Sequence, residues 1–415
     1  MRFTGPLRTR GFRLLVAGST VSLVGDGIYS VAMAVAALHT DHPASTLAMV
    51  AVAGLVPRIV FGLLGGVLAD RVSRRVILLV ADLVRLAVVV TLGAALLDGH
   101  ASPLLLVACV VPLGAASGAA APAFSAIVPD IVEAPDLVRA NSVMGGVTPF
   151  AQMMIGPVLG GVLASVDVGL AMFVDAATFA VSAGCVLLLR PTRDHDAQRA
   201  QRPPPWADFR EGLAYVRRTP WLLVNLLSGV AISLAVSGSF TMLPLLVTRG
   251  YGAPSESFGY LLAVGGALAT VTAVVVGMLR PRRRPLASSY VMYVVGLGAV
   301  VGLGLAPDVW VASLFIALMF MGTTAGNIWQ DTILGSRIPR HLRGRVSSLD
   351  WVAATVSAPL SVTISAALVG QVGIRETFVG AGSVAALGSL VGLLLLLRSG
   401  EPQPAIAPDD VTLAA

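Results

Sequence analysis

Three charged side chains that lie inside long apolar stretches are the residues best suited to chemistry in this sequence. They are Asp26, Arg58 and Asp175. A charged group at the centre of a lipid bilayer costs roughly 2.5 to 3.5 kcal/mol, so a functional role is the default expectation for each. A carboxylate near an arginine keeps its charge, whereas a carboxyl group withdrawn from water binds a proton. We therefore predict that Asp26 binds and releases a proton, with Arg58 as its charge partner or as an anchor for an acidic substrate.

The same three residues also allow a static interpretation. If the chain turns near residues 42 and 43, Asp26 and Arg58 lie about 16 residues on either side and share one depth, at a rise of ~1.5 Å per residue. They could then form a buried pair that only fixes helix packing. Asp175 could be a second protonation site or a solvated residue at the outer mouth of its stretch. The sequence leaves these alternatives open.

The elements that must position these residues are membrane-spanning helices. The chain is 56% hydrophobic and 12% charged, whereas soluble domains are about half apolar and a quarter charged. Apolar stretches long enough to cross a bilayer as helices occupy residues 12–38, 46–69, 76–97, 102–125, 141–165, 169–189, 221–247, 257–279, 287–305, 309–333, 347–371 and 376–398. The sequence predicts an all-α integral membrane protein with twelve transmembrane helices.

The arginines predict the orientation of these helices. With alternate loops assigned to alternate sides, most arginines fall on the side that carries both ends of the chain. Cytoplasmic loops retain basic residues, so both termini are predicted to be cytoplasmic. The first apolar run continues to Leu38, beyond the ~7 to 15 residues of a signal peptide. It is therefore expected to stay as the first helix of a multi-pass protein of the cell membrane.

A polar, proline-rich segment in the middle of the chain separates two halves of six spans. The predicted boundaries are 1–190 for the first six-helix bundle, 191–220 for a cytoplasmic linker, 221–398 for the second bundle and 399–415 for a tail expected to be disordered. In the linker, Trp206, Phe209, Leu213 and Val216 recur at helical spacing beside arginines. This pattern predicts an amphipathic helix on the membrane surface, with a plain soluble linker helix as the alternative.

The turn after the second span carries the most specific motif. Its sequence is Gly66-Val-Leu-Ala-Asp70-Arg71-Val-Ser73-Arg74-Arg75. It resembles the signature of the major facilitator superfamily, although a serine replaces the usual second glycine. The resemblance implies that Asp70 faces the N-terminus of the eleventh span, near Ser347, and locks a cytoplasmic gate. Asp82 and Arg85, three residues apart on the third span, are predicted to form a pair that supports the gate. A basic cytoplasmic loop alone would explain the arginines but not Gly66 and Asp70.

A second motif lies in the fifth span and reads Gly156-Pro157-Val-Leu-Gly160-Gly161. It resembles the core of the antiporter signature of proton-coupled drug exporters, although Gln152 stands where the longer pattern has a glycine. Proline bends a helix by removing a backbone hydrogen bond, and glycines allow close helix packing. Ordinary packing of small residues is therefore an equally good explanation of this motif.

Looser motifs along most of the chain resemble one branch of the major facilitator superfamily, which includes macrolide-efflux proteins and the enterobactin exporter. They are Ser22-Leu-Val-Gly-Asp26, Asp136-Leu-Val-Arg139-Ala-Asn141, Asp175-Ala-Ala-Thr-Phe179, Glu211-Gly212-Leu-Ala-Tyr215 and Pro339-Arg-His-Leu-Arg-Gly344-Arg345. The resemblance implies a working monomer with the major facilitator fold. It also implies export of small, drug-like or secreted amphipathic molecules by proton antiport and alternating access.

Other functions and ligands are less well supported by the sequence. The histidines and cysteines lack the spacing of metal ligands, and no nucleotide-binding loop is present. We therefore expect no enzyme activity, metal or cofactor, and no nucleic acid as a partner despite a pI near 10.0. The expected partners are a small-molecule substrate, protons and the lipid bilayer. Polar residues that could line a cavity are Gln152, Asn225 and Asn327. A proton-coupled metabolite importer or a lysophospholipid transporter of the same fold is the alternative.

Overall fold

The computed structural model describes residues 8–99, 102–132, 136–189, 205–278 and 285–399. Within these ranges some side chains lie outside the description, including those of residues 66–71. Nearly all described residues are helical. Twelve of the described helices are long and apolar enough to cross a membrane, so the predicted number of spans is confirmed.

The first half contains six of these spans. Its helices are α1 (Arg10–Leu38), α2 (Pro43–Arg71), α3 (Arg74–Leu97), α4 (Pro103–Ile131), α5 (Leu137–Thr148), α6 (Gly156–Val166) and α7 (Val168–Leu187). A π-helical segment, Pro149–Ile155, joins α5 to α6, so that the three form one span. Helices α4 and α7 begin at N-caps, because the side chain of Ser102 accepts from Leu105 N–H and that of Asp167 accepts from Leu170 N–H.

The second half contains the linker helix and six more spans. Its helices are α8 (Pro205–Arg218), α9 (Pro220–Thr241), α10 (Leu243–Leu245), α11 (Ser257–Met278), α12 (Pro285–Leu305), α13 (Val309–Arg337), α14 (Arg340–Val372) and α15 (Ile374–Ser399). A second π-helical segment, Leu246–Gly250, follows α10. Large apolar side chains along the spans are exposed, for example Leu314 at 69% and Val384 at 60%, which suits contact with lipid.

The chain forms two compact units. The first comprises Met1–His195 and Thr241–Ala267, and the second comprises Asp196–Phe240 and Leu268–Ala415. In the first unit, α2 and α4 approach so closely that a Cβ atom on Gly114 would overlap the backbone of Gly54. In the second unit, Gly322 packs against Gly296 in the same way, which brings α13 against α12.

The linker helix α8 packs on protein in the second unit. Val216 is 1% exposed and belongs to an apolar cluster with Leu342 and Val346 of α14. The helix therefore forms where the sequence predicts it, and its C-terminal apolar residues are covered by α14. The side chains of Trp206 and Phe209 lie outside the description.

Candidate functional site

A stripe of side chains on one face of α7 is buried inside the first unit. Its members, at positions i, i+3, i+4 and i+7, are Asp175, Thr178, Phe179 and Ser182. Their exposed fractions are 0%, 8%, 2% and 7%. Polar groups in a membrane-spanning helix need partners within the protein, because lipid offers none. Helices α1 and α3 cover this stripe.

Helix α3 contacts the C-terminal end of the stripe. Ser182 Oγ donates a hydrogen bond of 2.7 Å to Asp82 Oδ2, and Arg85 Nη1 lies 3.5 Å from Asp82 Oδ1. The Arg85 guanidinium also lies 5.5 Å from the centre of the Phe179 ring, within the range of a cation–π contact. The structure thus contains the ion pair expected from the spacing of Asp82 and Arg85, and it binds this pair to α7.

Helix α1 contacts the N-terminal end of the stripe. A Cβ atom on Gly25 would overlap both the Thr178 hydroxyl and the Asp175 carboxyl group, so only glycine fits at this contact. The Thr178 hydroxyl donates to the backbone oxygen of Asp175 at 2.7 Å and lies 3.3 Å from its Oδ1. Asp26, the next residue on α1, is half-buried. The predicted proton-binding residue therefore follows a glycine that contacts Asp175, and its charge acts on this second, fully buried carboxyl group.

The glycine after Asp26 fixes α1 to the fifth span. A Cβ atom on Gly27 would lie 2.7 Å from the Gln152 carbonyl oxygen and 2.8 Å from Gly156 Cα. These atoms belong to the end of the π-helical segment Pro149–Ile155 and the start of α6. Pro157 has no N–H to donate to the carbonyl group four residues earlier, which favours an irregular turn at this point. π-Helical segments are frequent at functional sites.

The remaining glycines of the antiporter-like motif face two different helices. Gly160 contacts α1, where its Cβ atom would lie 3.0 Å from Ile28 Cα. Gly161 contacts the chain just before α11, where its Cβ atom would lie 3.0 Å from the Glu256 carbonyl oxygen. The motif therefore packs the fifth span against two neighbours, and one of them carries Asp26.

The expected pair between Asp26 and Arg58 does not form. No ion pair joins these two described residues within 4 Å, and the Arg58 side chain is exposed. The backbone of Arg58 packs on Gly118 of α4 instead. Arg85 exerts the strongest attraction on Asp26 and Arg58 the second strongest, while Asp82 repels it. The charge that attracts Asp26 most strongly is thus Arg85 of α3.

Three buried polar atoms around this cluster lack a hydrogen-bond partner among the described residues. They are the Tyr29 hydroxyl, Arg85 Nε and Asp175 Oδ2. Full burial of Asp175 also excludes a solvated position at the outer mouth of its span in this structure. Where the structure describes the chain, it shows no group of three His, Cys, Asp or Glu side chains placed to hold a metal.

The comparison with protein families decides the classification of the chain. The family model described as Major Facilitator Superfamily matches residues 15–361. The chain belongs to the Major Facilitator Superfamily. With twelve spans, this superfamily member is a multi-pass protein of the cell membrane.

Known superfamily members of similar sequence include exporters. The chain is 28% identical to the enterobactin exporter EntS of Citrobacter koseri over 97% of this chain and 96% of that protein. It is 22% identical to macrolide efflux protein A of Streptococcus pyogenes over 90% of this chain and 93% of that protein. The crystal structure of the nucleoside transporter NupG superimposes with a TM-score of 0.75 at 10% identity, over 93% of this chain and 99% of that one. The superposition confirms the predicted major facilitator fold.

The motif that follows the second span of this superfamily member is described in part. Gly66 and the side chains of Asp70 and Arg71 lie outside the description. Arg74 forms an ion pair with Asp130 near the end of α4. Arg75 donates from Nε to the Val186 carbonyl oxygen at 3.0 Å and from Nη2 to that of Leu187. Cations at helix C-termini are favourable, so these two arginines hold the C-terminal ends of α4 and α7.

The polar residues expected to line a cavity differ in their surroundings. In the second unit, Asn225 is 3% exposed and Asn327 is exposed. The Tyr293 hydroxyl lies 2.6 Å from Asn327 Oδ1 and 2.7 Å from Gln330 Oε1. A phenol has one hydrogen to donate, so it can donate to only one of the two amide groups. In the first unit, Gln152 is half-buried, and its backbone contacts Gly27.

Replacement of Ser182 should weaken the first unit. Ser182→Ala removes the 2.7 Å hydrogen bond to Asp82 and leaves that carboxylate with Arg85 alone. We expect a loss of about 0.6 to 2 kcal/mol in the free energy of unfolding, the range found for hydrogen bonds between membrane helices. Unfolding of the purified protein in detergent measures the loss. The matched control is Ser165→Ala, because Ser165 is exposed and bonds only to Val162 of its own helix. Equal stability of the two variants would contradict the expectation.

Proposed function

We propose that this chain exports small, drug-like or secreted amphipathic molecules across the cell membrane in exchange for protons. The observation that carries the proposal is the placement of Asp26. It lies between Gly25, which contacts the fully buried Asp175 on α7, and Gly27, which contacts the antiporter-like motif. Protonation at this point changes the charge at a junction of three spans.

The relatives support the direction of transport. The enterobactin exporter and the macrolide efflux protein both match along more than 85% of the chain. Export against a concentration gradient needs an energy source, and the sequence has no nucleotide-binding loop. A proton gradient is the source that suits a site built from carboxyl groups.

The proposed cycle is alternating access. Asp26 takes up a proton from outside, and its release to the cytoplasm is coupled to the departure of the substrate on the other side. In this proposal the six-helix bundles are residues 1–190 and 221–398, both termini are cytoplasmic, and the chain acts as a monomer. The gate motif, with Asp70 facing the eleventh span, closes the cytoplasmic side. The alternative of import or lysophospholipid transport has no comparable support in the described contacts.

Transport by inside-out membrane vesicles tests the proposal. Labelled macrolides, tetracyclines and siderophores are offered with and without an imposed proton gradient, and vesicles that lack the protein serve as the control. We expect at least one compound to accumulate only when the interior is acidic and to leave when a protonophore is added. Accumulation that is indifferent to the protonophore would contradict proton exchange.

A further inference from the structure

The buried cluster of the first unit holds more carboxyl groups than cations. Asp82 has both a hydrogen bond and an ion pair, because it accepts from Ser182 at 2.7 Å and lies 3.5 Å from Arg85. Arg85 is engaged in this pair. Within the part of the chain that the structure describes, no cation forms an ion pair with Asp26 or Asp175.

Asp175 has the least support for a negative charge. Its side chain is 0% exposed, its Oδ1 lies 3.3 Å from the Thr178 hydroxyl, and its Oδ2 has no hydrogen-bond partner among the residues that the structure describes. A buried carboxylate without a cation costs several kcal/mol, and burial selects the neutral acid instead. A proton on Oδ2 would give this atom a hydrogen to donate. The hydroxyl of Tyr29 also lacks a partner among the described residues and lies within electrostatic range of Asp175, so the two groups can share a hydrogen bond through a water molecule.

Asp26 also lacks a paired cation among the described residues. It lies within electrostatic reach of Asp175, and its negative charge disfavours a second negative charge on Asp175. Two carboxyl groups that share one site do not both ionise unless cations compensate them. The titratable and charged groups that face this pair and Tyr29 are Arg58 on α2, Asp82 and Arg85 on α3, and Cys109 on α4. Arg58 is exposed to solvent and Arg85 is paired with Asp82. The negative charges of Asp26 and Asp175 are therefore removed by protonation, because no arginine pairs with them.

We infer that Asp175 is a second proton-binding residue beside Asp26, and that the transporter exchanges two protons for each substrate molecule. Each carboxylate takes up one proton from the outer side and loses it to the cytoplasm, so no other reactant is needed. The inference rests on the proposed proton exchange. It extends that proposal to a defined stoichiometry.

Infrared spectroscopy of the purified protein tests the second site without any substrate. Protonated carboxyl groups give a carbonyl-stretching band that ionised ones lack. We expect this band near neutral pH in the wild type, with one component lost in Asp175→Asn and the other lost in Asp26→Asn. Asp167→Asn, which alters the N-cap of the same helix, should leave both components in place. Tyr29→Phe keeps the carboxyl group and should shift the Asp175 component by removing its hydrogen-bond partner. An unchanged band in Asp175→Asn would overturn the inference.

Accumulation at steady state tests the stoichiometry. Proteoliposomes receive labelled erythromycin and a series of pH gradients, with the membrane potential clamped at zero. For two protons the accumulation ratio should rise about 100-fold for each pH unit, and for Asp175→Asn about tenfold, since each coupled proton contributes a factor of ten. A tenfold rise in the wild type would overturn the two-proton inference and leave proton exchange standing. If no gradient drives accumulation, the proposed function fails and the exchange stoichiometry falls with it, while the infrared band still decides whether Asp175 holds a proton.

Discussion

Vesicles that carry Asp26→Asn should accumulate at least about tenfold less substrate than the wild type at one pH unit, because one coupled proton sustains a tenfold ratio. Asparagine has nearly the same size as aspartate, and Gly25 and Gly27 would keep their contacts with α7 and with the fifth span. The amide cannot bind and release a proton, so the proton that Asp26 contributes to the exchange is missing. The variant should still equilibrate labelled substrate across the membrane in exchange for unlabelled substrate.

That retained exchange separates a loss of coupling from a loss of folding. The control is Asp41→Asn, because Asp41 is exposed just beyond the end of α1. It should accumulate substrate as the wild type does. Full gradient-driven accumulation by Asp26→Asn would assign the coupling to another carboxyl group, of which Asp175 is the first to test.

Gly27→Ala should stop transport because it separates α1 from the fifth span. The added Cβ atom would lie 2.7 Å from the Gln152 carbonyl oxygen and 2.8 Å from Gly156 Cα. Both are backbone atoms, so no side chain can rotate to make room. Overpacking of this kind costs about 1 to 3 kcal/mol in the free energy of unfolding. We expect transport to be lost even where the protein stays folded, because the contact lies at the π-helical segment next to Asp26.

Thermal unfolding in detergent and transport into vesicles measure the two effects. Gly146→Ala is the matched control, because Gly146 lies on α5 and nothing lies within 4 Å of its added Cβ atom. This change should be neutral or should stabilise the helix by up to about 1 kcal/mol. Transport by Gly27→Ala at the level of Gly146→Ala would show that the close contact is dispensable.

The fold could be predicted from the sequence because the thickness of the bilayer fixes the length of each membrane-spanning helix. The stretch predicted at 76–97 forms Arg74–Leu97, and the one at 309–333 forms Val309–Arg337. The ends move outward because polar residues continue the helices beyond the apolar stretch. The π-helical segments were missed, since they depend on packing between spans and leave no periodic signal. Pro157 indicated only that the fifth span is irregular.

Only part of the candidate site could be predicted from the sequence. Equal depth suggested that Asp26 and Arg58 pair, but depth does not fix how a helix is rotated about its axis. Contacts such as that between Gly54 and Gly114 set the rotation of α2 and leave Arg58 exposed. The polar stripe on α7 was visible in the sequence as residues three, four and seven apart. That signal could have linked Asp175 to Ser182 and hence to α3.

The packing of α8 against α14 also has a consequence for biosynthesis. Val216 is covered by residues of α14, yet α14 leaves the ribosome about 120 residues after α8. At the usual 5 to 20 residues per second, roughly 6 to 24 s separate the two events. During that interval the apolar residues of α8 need another surface, and an amphipathic helix finds one at the membrane interface. Helix α8 would then lie on the membrane surface in the nascent chain, as the sequence predicts. In the finished protein it packs against α14.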